Sequence, residues 1–184
     1  MQHSSWFRFL VFALCILIAG FFVLSSSRFL HAQTLNVGPS GLPLPRFASI
    51  KPTRVNVRIG PGSNYSIIFT YKKPGLPIEI IQEYDQWRKI RDAEGDEGWV
   101  YQSLLSGKRT AITIPWQKDK TKRLMLRKNP TDNAELVAEI EPNVIGHIRQ
   151  CDGYWCELNI NNIRGWLLQS QLWGIYPDEK IKSW

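Results

Sequence analysis

Three cysteines and three histidines are the groups in this chain most able to act as nucleophiles, redox couples or soft metal ligands, and their spacing limits what they can do. Cys151 and Cys156 flank Asp152-Gly153-Tyr154-Trp155, a run with hairpin-turn character. A redox-active pair is the alternative reading, but the four-residue gap lacks redox-motif spacing and no helix start is expected there to lower a thiol pKa. An even pair of cysteines in an exported chain reads instead as a disulfide, Cys151–Cys156, worth about 2 kcal/mol in loop-entropy terms for so short a loop. Beyond residue 32 the only histidine is His147, which with two paired cysteines makes neither a metal site nor a Cys–His nucleophile. Asp92, Glu94, Asp96 and Glu97 lack the spacing of a calcium loop and read as a solvated hairpin tip. No catalytic residue, metal or cofactor is therefore expected, and the chain is read as a non-enzyme. A small enzyme with an unrecognised catalytic group is the third reading, after two binding roles.

The residues suited to binding are aromatic. Eight tryptophans and a 12% aromatic content exceed what a disordered chain carries. In the run 87–91, strand alternation places Trp87 and Lys89 on one face and Arg88 and Ile90 on the other. If Ile90 is core, Trp87 faces outward, where its flat ring could stack on a sugar, a peptide or a proline. The alternative is a strand kink that turns Trp87 inward. Tyr65, Tyr71 and Tyr101 are expected to line the same groove, with Arg58 as a polar contact or, alternatively, a structural ion pair. Trp99 and Trp166 each follow a glycine and precede an aliphatic residue, and read as packing at a barrel seam. Gly60-Pro61-Gly62 reads as a rigid tight loop, using glycine's access to positive φ and proline's fixed φ.

Short strands position these side chains. They are expected near 54–58, 66–71, 77–83, 87–91 and 98–101, separated by Gly60-Pro61-Gly62, Lys72-Lys73-Pro74-Gly75, Tyr84-Asp85 and residues 92–96. The whole unit then recurs. Val55-Asn56-Val57-Arg58 matches Leu124-Met125-Leu126-Arg127, Trp87 matches Trp155, and Ile90 matches Leu158. Gly98-Trp99-Val100 matches Gly165-Trp166-Leu167, and Gln102-Ser103-Leu104 matches Ser170-Gln171-Leu172. A repeat of this size means two copies of one domain. On this alignment Cys151 and Cys156 fall on Glu83 and Arg88, so both pairs should be cross-strand neighbours. The fold class is all-β: two tandem small barrels after an N-terminal signal peptide.

Residues 9–24 are almost wholly apolar behind Arg8, and a small residue stands at 32, so 1–32 reads as a secretory signal cleaved after Ala32. An uncleaved membrane anchor is the alternative, although the apolar run is shorter than the roughly 20 residues of a spanning helix. Cys15 sits mid-run after Leu14, which argues against lipidation. The expected order is signal peptide 1–32, Pro-rich linker 33–48, first barrel 49–113, connector 114–122, second barrel 123–176 and tail 177–184.

Asn56-Val57-Arg58-Ile59-Gly60-Pro61-Gly62, Tyr65, Trp87-Arg88-Lys89-Ile90 and Gly98-Trp99-Val100 together resemble a bacterial Src-homology-3-like domain over most of 50–110. The second repeat resembles it less closely, with Arg127-Lys128-Asn129-Pro130 in place of Arg-x-Gly-Pro-Gly. The resemblance implies a periplasmic or secreted, non-catalytic binding module of the cell envelope that recognises peptidoglycan or cell-wall peptides, the second repeat bracing the first. A periplasmic protein–protein adaptor is the alternative. The formal net charge is +7, and basic residues at Lys108-Arg109 and at Lys118, Lys120, Lys122 and Arg123 suit an anionic surface such as cell-wall polymer or lipid headgroups, the alternative being a solvated connector. Nucleic acid is not expected as a partner of an exported chain, nor is stable membrane insertion once the signal is removed.

Overall fold

The computed structural model describes residues 36–119 and 121–182, so the expected signal peptide and its cleavage site lie outside the described residues. None of the described helices is long and apolar enough to cross a membrane. A short hairpin, β1 (Asn36–Val37) with β2 (Pro43–Leu44), leads into the first sheet. That sheet contains β3 (Arg46–Ile50), β4 (Val55–Arg58), β5 (Ile67–Tyr71), β6 (Pro77–Tyr84), β7 (Trp87–Arg91), β8 (Glu97–Tyr101) and β9 (Leu105–Ser106), in the order β5-β4-β8-β7-β6-β3-β9. The second contains β10 (Thr110–Thr113), β11 (Leu124–Arg127), β12 (Leu136–Ile140), β13 (Ile145–Asp152), β14 (Trp155–Ile160), β15 (Ile163–Leu168), β16 (Leu172–Trp173) and β17 (Lys180–Ile181). Its order is β12-β11-β15-β14-β13-β10-β16, with β17 added beside β13. All the pairings are antiparallel, and the class is the expected all-β, two-barrel one.

Three sequence expectations about extent need correction. Residues 110–113 pair with β13 and β16, so they open the second barrel rather than close the first, and 114–122 lies within the second barrel between β10 and β11. The Pro-rich stretch is not a loose linker: it supplies the β1–β2 hairpin and the start of β3. The tail contributes β17, which pairs Cys151 with Ile181. β3 was hidden because nearly all of Arg-Phe-Ala-Ser-Ile is buried, which erases the in–out alternation by which a half-exposed strand is recognised. The repeat alignment also slips by one at its end, where the equivalent 3-10 turns are Gln102–Leu104 and Gln169–Gln171.

Each sheet curls around its own core. Ile50, Val55, Val57, Ile78, Ile90 and Val100 fill the first, and Leu124, Leu126, Leu158, Ile160 and Leu167 fill the second. The first hairpin of each barrel joins the following strands where β4 meets β8 and β11 meets β15, through the pairs Arg58–Trp99 and Arg127–Trp166. A glycine allows each close junction. A Cβ on Gly98 would lie 2.3 Å from Val57 Cγ1 and 3.0 Å from the Arg58 carbonyl oxygen, and one on Gly165 would lie 2.6 Å from Leu126 Cγ and 2.8 Å from the Arg127 carbonyl oxygen. Trp99 and Trp166 are thus seam residues, as their sequence context implies.

The expected cross-strand neighbours are present in both barrels. Glu83 pairs with Arg88 across β6 and β7, and Cys151 is disulfide-bonded to Cys156 across β13 and β14. The Glu83 side chain is only 1% exposed. It accepts hydrogen bonds from the Ser40 amide at 2.9 Å, the Ser40 hydroxyl at 2.8 Å and Arg46 Nη2 at 2.6 Å, and Arg88 Nε lies 3.1 Å away. Burial alone would raise this carboxyl, but the Ser40 and Arg46 hydrogen bonds outweigh it and take the pKa down to about 2.

The two barrels meet through a small aromatic cluster. Phe47 of β3 packs edge-on against Trp173, with centroids 5.1 Å apart, and against Tyr176 at 4.7 Å. The Arg109 guanidinium lies 5.5 Å from the Phe47 ring centre, and the Tyr176 hydroxyl donates to Glu79 at 2.9 Å. Apolar contact, a cation–π contact and a hydrogen bond together hold the repeats as one compact unit.

Two outcomes follow for stability. The folded state holds Glu83 ionised below the usual carboxylate range, so its contribution is complete above about pH 4.5 and is lost as pH falls towards 2, on the order of 2–3 kcal/mol. Chemical denaturation from pH 7 to 2 should show this loss in the native chain. Glu83→Gln should be less stable at pH 7 and flatter across that window, and an unchanged acid slope would contradict the assignment. Separately, Gly98→Ala and Gly165→Ala should each lower stability by roughly 1–3 kcal/mol through overpacking, measured as a shift in denaturation midpoint at constant slope.

Candidate functional site

Alternation along β4 sets up the first wall of a cleft. Val55 and Val57 point into the core, so Asn56 and Arg58 point out of it. On β7 the same rule buries Arg88 and Ile90 and turns Trp87 and Lys89 outward, without the kink that would have turned Trp87 inward. Trp87 pairs across the sheet with Tyr101 of β8, and their rings meet edge to face at 5.5 Å and 83°. With Arg54 and Leu104 these groups enclose a cleft of about 370 Å3.

Three of the five residues expected to bind ligand, Arg58, Trp87 and Tyr101, line this cleft. Tyr65 adjoins it without lining it: its carbonyl oxygen accepts a hydrogen bond from Arg58 Nη1, which fixes the guanidinium. Arg58 therefore has a hydrogen-bonded anchor, and among the described residues no ion pair of the kind its alternative reading expected. Tyr71 belongs elsewhere. Its ring packs on Phe69 and the first core, and its hydroxyl donates to Asp92 at 2.9 Å. Burial, reinforced by Asp92, pushes the Tyr71 hydroxyl well above the ordinary tyrosine range, so it stays a hydrogen-bond donor. Asp92 also accepts from the Glu94 and Asp96 amides, so this acidic cluster ties its own turn together.

The loop glycines serve a different purpose from the one expected. Neither Gly60 nor Gly62 has positive φ. A Cβ on Gly60 would lie 2.4 Å from the Tyr65 ring, so glycine is there to let the tyrosine lie flat on the loop. Arg54, Asn56 and Leu104 were missed. Asn56 was legible, since it is two residues from Arg58 on the same strand and must share its face. Leu104 was not, because it enters from a 3-10 turn with no periodic pattern.

A buried network fixes the cleft from behind. Arg88 donates to the carbonyl oxygens of Asp85 at 2.8 Å and Trp87 at 3.0 Å, and also to the Gln102 side chain. The Gln102 amide in turn donates to the Gln86 carbonyl at 2.9 Å. These bonds tie the turn before Trp87 to the turn after Tyr101. The second barrel differs at the same positions: Met125 and Leu168 replace Asn56 and Tyr101, and Trp155 is 7% exposed.

The chain is similar to known proteins over part of their length. It is 26% identical over 125 residues to YrvJ of Bacillus subtilis strain 168, provisionally named an N-acetylmuramoyl-L-alanine amidase, covering 65% of this chain and 24% of that protein. Among solved structures it is similar to NlpC2 of Trichomonas vaginalis (12% identity, TM-score 0.31, 70% of this chain and 48% of that one). It is also similar to an NlpC/P60 family protein of Bacillus cereus ATCC 10987 (12% identity, TM-score 0.31, 73% and 58%). The chain thus spans about a quarter of the curated relative and about half of the structures. Residues 51–107 and 120–174 each match the bacterial SH3 domain, and together they make up more than half of the sequence, so the chain belongs to the bacterial SH3 domain family.

Proposed function

We propose that this chain is a non-catalytic, extracytoplasmic cell-wall binding module whose first barrel recognises peptidoglycan through the Trp87 cleft. The carrying observation is the Trp87–Tyr101 pair, held edge to face in a cleft that also contains Arg54, Asn56 and Arg58. Aromatic faces suit the apolar faces of sugar rings and peptide planes, and the two arginines suit the carboxylates of wall peptides. The family supports the wall reading, because a relative carries the name of an amidase acting at N-acetylmuramoyl-L-alanine. The Cys151–Cys156 disulfide supports a periplasmic or secreted location, since such bonds persist in oxidising compartments. The second barrel braces the first through the Phe47 cluster.

The test is co-sedimentation of the full chain, kept in non-ionic detergent, with insoluble peptidoglycan at low and high salt. Saturable pelleting should survive salt and weaken about tenfold in Trp87→Ala, the effect of losing roughly 1–1.5 kcal/mol of aromatic contact, with an unchanged far-UV spectrum. Absence of pelleting at every salt concentration would sink the wall reading and turn the search to envelope proteins.

A further inference from the structure

A second and larger cleft lies on the other barrel, along the edge of β13 between the segment entering from the first barrel and the C-terminal strand β17. It encloses about 950 Å3. Lys108, Arg149, Lys180 and Lys182 line it, and no acidic residue among the described ones does. Buried Ile148 and half-buried Ile181 lie deeper, giving it an apolar floor under a cationic rim. Arg109 also borders it but is already neutralised by Glu179 at 2.7 Å. Arg149 has only a distant partner, Glu157 at 3.7 Å, and Lys108 and Lys182 have no ion-pair partner among the described residues. Like charges gathered over a concave, low-dielectric floor repel one another and focus a positive potential that an anion relieves.

Two buried polar atoms of the lining residues lack a partner among the described residues, Arg109 Nε and Asn159 Oδ1, and the second adds a further requirement. Asn159 Oδ1 is buried with no hydrogen-bond partner among the described residues, so its desolvation is uncompensated. Rotation about the terminal torsion of Asn159, which has broad wells, turns its amide to the cleft and to a donor there. The occupant must therefore offer negative charge to the rim, apolar groups to the floor and an N–H or O–H to Asn159.

We propose that this cleft binds an acidic peptide segment, with carboxylates on the lysine rim, apolar side chains over Ile148 and Ile181, and a backbone N–H to Asn159. A phosphate polyester meets only the first requirement. The cleft is separate from the one at Trp87, so failure here leaves the wall-binding reading standing, and the reverse also holds.

Fluorescence anisotropy of the full chain in non-ionic detergent tests this, using a labelled peptide of alternating glutamate and leucine. Inorganic polyphosphate of matched charge serves as the comparison. The peptide should bind saturably and more tightly than polyphosphate. Lys108→Gln with Lys182→Gln should weaken it at least about fivefold, whereas Lys72→Gln with Lys73→Gln, exposed lysines of the first barrel, should leave it unchanged. Asn159→Ala should weaken the peptide but not polyphosphate. The proposal is overturned if the peptide does not bind, if polyphosphate binds as tightly, or if both lysine pairs matter equally.

Discussion

The first barrel is organised around a buried carboxylate. An ionised side chain with 1% exposure is tolerated only when its oxygens are filled, and Glu83 recruits partners from three separate parts of the chain. Ser40 comes from the N-terminal hairpin, Arg46 from the first residue of β3 and Arg88 from the neighbouring β7. Each has an architectural consequence. Ser40 ties a proline-rich segment to the barrel, beside the packing of Leu44 on the first core. Arg46 fixes the start of the strand that carries Phe47, and so the contact with the second barrel. Arg88, buried opposite Glu83, spends its remaining donors on the turns flanking Trp87 and Tyr101. The outward-facing aromatic pair is thereby held by an inward-facing ionic one.

The second barrel meets the same geometric problem covalently. Where Glu83 and Arg88 face each other in the first copy, Cys151 and Cys156 are bonded in the second. A disulfide needs no counter-ions, so no hairpin is drawn in to satisfy it. The C-terminal segment occupies that end instead, through β17 and through Gln169, whose side chain donates to the Glu179 carbonyl at 2.8 Å and accepts from the Asp178 amide at 3.1 Å. Gln169 is the counterpart of Gln102, which in the first barrel serves Arg88. One position in the repeat thus supports the aromatic cleft in one copy and docks the tail in the other.

This history explains what the sequence disclosed. Strands exposed on one face were legible because alternation is a direct projection of the pleat, whereas for Trp87 alternation left an inward kink open and the regular β7 pattern settles it outward. The pairing of Cys151 with Cys156, and of Glu83 with Arg88, followed from aligning the two copies, since residues that co-occupy a cross-strand site must suit each other. Elements made by long-range contacts were not legible. β3 is buried on both faces, the β1–β2 hairpin is held by a residue more than forty positions away, and Tyr71 looks like any groove tyrosine until Asp92 is found beside its hydroxyl. The reassignment of residues 110–113 has the same origin, since a short apolar strand between two repeats reads equally well as the end of one or the start of the next.

Duplicating a fold does not duplicate its surface, and the tandem arrangement itself creates the second cleft. In the first barrel β3 pairs with β6 from Ser49 back to Arg46. In the second, the equivalent β10 pairs with β13 from Ile112 back to Thr110, and Ile148 N still donates to the Arg109 carbonyl at 3.1 Å, beyond which Gly107 and Lys108 arrive from the first barrel. The edge of β13 beyond that last bond is bordered on its far side by β17, which pairs with Cys151 and Asp152. Entry and exit segments of the second barrel therefore form the two walls, and the lysines they carry face one space. A lone copy of this fold, lacking both an incoming connection and a returning tail, would have no reason to form it. The aromatic cleft, by contrast, needs only β4, β7, β8 and the turn that follows, all internal to one repeat. The first cleft belongs to the fold and the second to its tandem use, so the two can differ in chemistry without competing for the same residues.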